Sequence, residues 1–283
     1  MPTSPSSSAQ AARVALAARL GELMRDAGLK GGELSARCGW HAAKTSRILN
    51  AKAAPADADI RAWCRACDAD DQADDLIASN RAADSLYVEW RRLTRTGLRH
   101  AQQARVPLYT RTRHFRAYSS RVVPGALQTR EYATALLRTV ADVRQTPDDV
   151  ADAVEARLTR SGVVFEGGRR FVAVIEESVL RYRLGDEAVM AGQLGHLLRI
   201  MSMPSVSLGI IPFTAGPRTM WPVETFNLFD DRQAGVELLS AQVTVTAPGD
   251  LALYNQAFAR FAGLAVHGAA ARTLITTAID ALG

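Results

Sequence analysis

The chain has 283 residues, 48% of them hydrophobic and 22% charged, the composition of a folded protein of about two domains. That excludes a disordered chain, a collagen-like repeat and a disulfide-stapled miniprotein. Thirty-four Lys and Arg against 29 Asp and Glu leave a net charge of +5, too small to name a partner by itself. Its distribution says more: residues 1–79 hold 10 basic and 10 acidic side chains, residues 80–121 hold 10 and 2, and residues 122–283 hold 14 and 17. Residues 30–52 carry five basic side chains against Glu33 alone and include all three lysines of the chain. Such a cluster fits a polyanion or a solvated face, and charge cannot choose between them.

Residues 1–11 are Ser and Pro rich, without the charged start and apolar run of a secretory signal, and are expected to form a disordered tail. No stretch reaches the roughly 18–20 unbroken apolar residues of a membrane span, so no membrane partner is expected. Three cysteines, an odd number, fit a reducing compartment, and the expected location is cytoplasmic.

From residue 12 the apolar positions Val14, Leu16, Leu20, Leu23 and Met24 predict an amphipathic helix that stops at Ala27-Gly28. A second short helix is predicted over 31–38, ended by Gly39-Trp40, and a third over 41–49. Asp57 and Asp59 open a fourth, whose face is Ile60, Trp63, Cys64 and Cys67 at i, i+3, i+4 and i+7. A fifth takes in Leu76 and Ile77 and runs on through Trp90 and Leu93.

Five helices, two of them short and joined at a glycine, are the layout of a helix-turn-helix DNA-binding domain, here expected over residues 12–80. Leu34 and Ile48 are its buried anchors, residue 35 lies where the short helices approach closely, and Gly39 allows the sharp turn. The outward face of the third helix would show Ala42, Ala43, Lys44, Ser46 and Arg47. Arg47 is able to pair with guanine in two hydrogen bonds, while Lys44, Lys52 and His41 reach phosphate. With Gly31 and Gly32 these residues form the expected DNA-binding set, and the expected partner is double-stranded DNA. Two half-sites need two recognition helices, so a homodimer is expected. The competing account is a helical hairpin with a solvated charged face.

Cys38, His41, Cys64 and Cys67 have a spacing compatible with zinc. Cys64 and Cys67, however, occupy apolar positions of the fourth helix, and Cys38 stands where a small buried residue belongs. Core packing accounts for all three, and neither a metal nor a redox switch is expected.

Residues 81–121 read as a basic connector. Arg91, Arg95 and Arg99, spaced by four, would line one stripe and offer a second DNA contact if a helix persists past Leu93, which Gly97 opposes. Alternatively these arginines pair with the acidic 53–79 face or with the acidic C-terminal region. Residues 108–120 are expected to be extended.

After the turn signal at 122–125, helices are predicted over 126–137 and 147–160, with a turn at Gly167-Gly168. Short apolar strands follow at 171–175, 207–213 and 225–229, with a helix at 186–201 between them. Further strand material at 236–245 and one or two helices over 251–282 complete an α+β domain spanning 122–283. No nucleotide loop, metalloprotease motif or nucleophile elbow is present. Adjacent Glu176 and Glu177 point to opposite faces, and His114, His196 and His267 are scattered. No catalytic residue and no cofactor are expected, and the chain is not expected to be an enzyme.

Residues 28–52 (GLKGGELSARCGWHAAKTSRILNAK), with Pro55, Ile60 and Trp63, resemble the Xre-type repressor domain over roughly residues 13–80. Three positions depart from that pattern: Ser35 stands for the usual Ala, Thr45 for a branched apolar residue, and Ala51 for the Gly that ends the recognition helix. The remainder resembles the C-terminal domain of an actinobacterial regulator family, the WhiJ-like proteins, sometimes described as antitoxin-like. The resemblance rests on EWRRL (89–93), VPGALQTREYATALL (123–137), EESVLRYRLGDEAVMAGQLGHLL (176–198), PSVSLGIIPFTAG (204–216) and ETFNLF (224–229). It departs at residues 158–161 and 237–240. The resemblance implies transcriptional control, with a small companion protein or a signal bound by residues 122–283. It equally admits an antitoxin-like role in which sequestering that companion is the main activity, or a small-molecule-sensing regulator.

Overall fold

A computed structural model describes the backbone of residues 5–82, 87–218 and 220–283, and the side chains of residues 13–80, 90, 93–218 and 220–283. The chain divides into two units: residues up to 87 with 244–252, and residues 88–243 with 253–283.

The first unit contains α1 (Pro5–Asp26), α2 (Gly31–Cys38), α3 (Ala42–Leu49), α4 (Asp57–Ala66) and α5 (Ala73–Ala82). Gly28 and Gly39 follow α1 and α2 with φ of +68° and +67°, the left-handed conformation that ends helices and that glycine adopts freely. After α3 the same turn falls on Ala51, φ +52°, where a Cβ costs about 1 kcal/mol. One buried cluster joins Leu16, Leu20 and Leu23 of α1, Leu34 of α2, Ile48 of α3, Ile60 and Trp63 of α4, and Leu76 and Ile77 of α5.

Two expectations need correction here. Helix α1 begins at Pro5, so residues 5–11 of the expected disordered tail are helical, as a first-turn proline and the alanines at 9, 11 and 12 favour; residues 1–4 lie outside the described residues. Helix α5 stops at Ala82 instead of running to Leu93, and Tyr87–Glu89 is a strand. The unit also takes in a segment remote in sequence, residues 244–252, where the Gly249 N–H donates to Asp75 Oδ1 at 2.8 Å.

The second unit is built on strands β1 (Tyr87–Glu89), β2 (His114–Ser119), β3 (Arg170–Glu176), β4 (Val206–Ile211), β5 (Phe226–Phe229), β6 (Gln233–Glu237) and β7 (Ala241–Val245), in the order β1-β7-β6-β5-β2-β3-β4. Helices α6 (Trp90–Leu93), α7 (Leu98–Gln103) and α8 (Val106–Arg111) precede β2. Parallel strands need crossovers: α9 (Arg130–Arg144) and α10 (Val150–Gly162) connect β2 to β3, while α11 (Ser178–Arg181) and α12 (Glu187–Ile200) connect β3 to β4. Strands β5 and β6 return antiparallel, and α13 (Pro248–Leu264) and α14 (Gly268–Asp280) close the chain. The core gathers Phe115, Phe171, Ile175, Leu194, Leu197, Ile210 and Ile275. An all-α helical region followed by mixed sheet and helices is the α+β class expected from the sequence.

The basic connector is not a linker. Strand β2 lies inside the sheet, with Phe115 opposite Phe171 on one side and Phe229 on the other, so residues 88–121 belong to the second unit. Residues 106–111 are helical, with Pro107 in the first turn, and only 114–119 are extended. Arg99 pairs with Asp152 at 3.2 Å, Arg105 with Glu237 at 2.8 Å and Arg116 with Asp231 at 2.8 Å. These arginines answer acids of the C-terminal region, one of the two accounts open from sequence. The Arg91, Arg95 and Arg99 stripe does not form, because α6 ends at Leu93 and a new helix starts at Leu98. Between them Gly97 has φ +107°, and a Cβ there would collide with the Asp149 carboxylate. That carboxylate caps α7 by accepting from the Leu98 and Arg99 N–H groups, each at 2.8 Å. Arg95 is exposed, and the Arg91 side chain lies outside the described residues.

Candidate nucleic-acid interface

Helix α3 carries the site because its burial is one-sided. Thr45 and Ile48 are buried, while Ala42, Ala43, Lys44, Ser46 and Arg47 are exposed, as are His41 before the helix and Lys52 after it. Short side chains at 42, 43 and 46 let this face approach a surface closely, and Arg47 extends a planar five-donor fork from it. At the start of α2, Gly32 is exposed and Gly31 partly buried; a Cβ on Gly32 would meet nothing within 4 Å. The glycines leave the first turn of α2 free of side-chain bulk, although the Glu33 carboxylate already folds back there to accept from the Lys30 N–H at 2.7 Å. The structure thus brings Gly31, Gly32, His41, Ala42, Ala43, Lys44, Ser46, Arg47 and Lys52 into the paired short helices and their flanks, whereas Arg91, Arg95 and Arg99 belong to the second unit.

Lys44 is held differently from the sequence reading. Its Nζ lies 2.6 Å from Asp59 Oδ1 and 4.4 Å from the centre of the Trp40 ring. To reach a phosphate it must exchange the Asp59 carboxylate, so Arg47 and Lys52 are the more available cations of the set.

Two departures from the repressor pattern prove to be one feature. The Ser35 hydroxyl donates to Gly31 O at 2.7 Å, and the Ser35 and Thr45 hydroxyls lie 2.7 Å apart in a buried setting. Since the carbonyl can only accept, Ser35 spends its proton there and Thr45 is the donor to Ser35. Thr45 therefore bonds across to α2, neither turning back onto its own helix nor losing its packing. Either single change, Ser35→Ala or Thr45→Val, should cost about 1 kcal/mol, and the double variant less than the sum. Chemical denaturation of the four proteins checks this; strict additivity would show that the hydroxyls do not interact.

Cys64 and Cys67 sit in the core cluster, and the Cys38 Sγ–H donates to Ala62 O at 3.5 Å. Burial, then the neighbouring Cys67 and acids, pushes the Cys64 thiol up to about 11; burial and Cys38 do the same to Cys67. Thiols so protonated are poor nucleophiles. Among the described residues no group of three or more His, Cys, Asp or Glu is placed to hold a metal.

In the second unit Glu176 and Glu177 have separate partners. Glu176 takes two parallel hydrogen bonds from Arg218, at 2.8 and 2.7 Å, and one from the Tyr118 hydroxyl at 2.8 Å. Burial and then this bond to Glu176 raise the Tyr118 phenol above its ordinary range. Glu177 accepts from the Phe213 N–H at 2.9 Å and from Arg181.

Two family models match the chain. A helix-turn-helix domain matches residues 15–76, covering the second half of α1, α2 to α4 and the start of α5. A domain of unknown function (DUF5753) matches residues 103–277, beginning inside the stretch expected as a connector. No curated protein and no solved structure matches the chain. The second match covers more than half of the sequence, and the chain belongs to the DUF5753 family, with a helix-turn-helix domain at its N-terminal end.

Proposed function

We propose that the chain is a sequence-specific transcriptional regulator of the Xre-type and WhiJ-like, actinobacterial kind, acting in the cytoplasm as a homodimer whose α3 helices read two half-sites in the major groove. The observation that carries this reading is the division of α3: Thr45 and Ile48 anchor it, and Ala42, Ala43, Ser46 and Arg47 are left outward on a small-residue face with one long cation. Genome-wide mapping of sites bound by the tagged protein tests it. A shared inverted-repeat sequence is expected, and random occupancy would sink the reading. In this account Lys52 contacts phosphate, so Lys52→Ala should lower the slope of log K against log salt by about 1 per monomer. An unchanged slope in a fluorescence titration would remove Lys52 from the interface. No catalytic role or cofactor is proposed for any residue.

A second reading, binding of a small companion protein with or without antitoxin-like sequestration, is favoured by one observation. In the segment between β4 and β5, Phe213 is 62% and Trp221 71% exposed, with Val223 also outward. Exposed aromatic residues so close in sequence are the usual anchors of protein contacts. Co-purification from the native host tests it: a stoichiometric small protein lost on Trp221→Ser supports it, and its absence sets this reading aside.

A further inference from the structure

The second unit contains a cationic cavity for which the DNA-binding reading has no use. Its volume is about 100 Å³, and its walls include Arg105, Tyr109, Gln128, Arg157, Arg160 and Glu237. Arg157 and Arg160 stand three residues apart on α10 and so share one side of that helix.

The two are held in an unusual way. Arg160 is 2% exposed. Its Nη1 donates to Gln102 Oε1 at 2.9 Å and its guanidinium lies 4.6 Å from the centre of the Tyr109 ring, yet its Nε reaches no acceptor. Arg157 donates to the same Gln102 oxygen at 3.3 Å and to Gln128 Oε1 at 2.7 Å. Both are therefore oriented by neutral amides. Among the described residues the one carboxylate in the cavity wall, Glu237, takes Arg105 at 2.8 Å. Arg218 of the same unit shows the contrast: it meets Glu176 in a two-bond pair.

Among the described wall residues three cations stand against one carboxylate, which leaves two positive charges uncompensated, and for the buried Arg160 a missing counter-charge is costly. The groups register this. Burial, then the adjacent Arg160, lowers Arg157 to about 10, and burial lowers Arg160 as well. Burial alone would raise Glu237, but Arg105, with Arg157 and Arg144, holds it below the usual carboxylate range.

We propose that this cavity binds the phosphate group of a small phosphate monoester, with Arg157 and Arg160 gripping its oxygens. The excess of two charges matches the phosphate dianion, guanidinium forks match its geometry, and the volume admits the group with a few waters. The site lies wholly in the second unit, so it does not depend on the DNA reading. Arg105, satisfied by Glu237, shapes the wall, and Glu237 weakens the site by its own charge.

The test uses the full chain and inorganic phosphate as probe, with binding read by calorimetry and by the shift in thermal midpoint, against sodium chloride and succinate at matched ionic strength. Saturable phosphate binding is expected, weakened about tenfold or more in Arg157→Gln and strengthened in Glu237→Gln. Arg160→Gln should also weaken it. If that buried change prevents folding, judged by circular dichroism, the other two variants decide. A midpoint shift no larger than that from chloride overturns the proposal. So does wild-type phosphate affinity in both Arg157→Gln and Glu237→Gln, and equal binding of succinate overturns the phosphate assignment in favour of a carboxylate.

Discussion

Trp63→Ala should destabilise the helical unit by about 3–5 kcal/mol and abolish DNA binding with it. Trp63 is 0% exposed at the centre of the cluster that joins all five helices. Its indole N–H donates to Leu20 O of α1 at 3.0 Å, and its ring packs at a tilt on Trp40, with centroids 6.2 Å apart. Truncation removes the largest side chain of that core, leaves a cavity that helices fixed by short turns cannot close, and frees Trp40 to move. Trp40 in turn lies under the Lys44 ammonium, so the damage reaches the loop that aims α3. For a region of this size 1 kcal/mol corresponds to a shift of about 4–8 °C in thermal midpoint, and the loss exceeds what a small unit can absorb. Trp63→Phe, which keeps most of the ring volume and loses the hydrogen bond, should fall well short of this. Circular dichroism melts of the full chain with both variants decide the matter; an Ala variant melting within a few degrees of the parent would refute the central place given to Trp63.

The helical unit was the more legible half because its determinants are local. Helices α2 and α3 are bounded by Gly28, Gly39 and a short periodic pattern that turns Leu34 and Ser35 of α2 and Thr45 and Ile48 of α3 inward. What stayed hidden was pairwise: the Ser35 hydroxyl finds Thr45 ten residues on, and Lys44 finds Asp59. A sequence shows both partners but not that they meet. In the second unit the strands at 170–176 and 206–211 were readable as apolar runs bounded by charge. Strand β2 was readable only as part of an extended stretch at 108–120, and its arginines, Arg113 and Arg116, hid that it lies inside the sheet. Its place is set by pairing with residues 171 and 229. The same long range hid Asp149 capping α7 and the meeting of Arg105 with Arg157, Arg160 and Glu237. Of the charge surplus of 80–121, for which DNA contact and pairing with acids were both open, Arg99, Arg105 and Arg116 meet acids of their own unit.

Arg47→Ala should weaken operator binding by about 1–3 kcal/mol, roughly 5- to 150-fold, and relax preference at one base-pair position. The side chain is exposed and the described hydrogen bonds and ion pairs give it no side-chain partner, so stability should change by no more than about 0.5 kcal/mol. Its position fixes its role. Thr45 and Ile48, two residues before and one after, are pinned in the core, so Arg47 points away from it with Ala43, one turn earlier on the same face, offering no bulk to hold the helix off a groove. A guanidinium presented there can grip the two acceptors of a guanine edge, which an ammonium cannot do in the same plane. Arg47→Lys should therefore keep the salt dependence of binding yet lose most of the base preference, whereas Lys52→Ala should weaken all sequences alike. Anisotropy titrations against the operator and its single-base variants separate these outcomes. If Arg47→Ala left both affinity and base preference as in the parent, α3 would have to meet DNA through a different face.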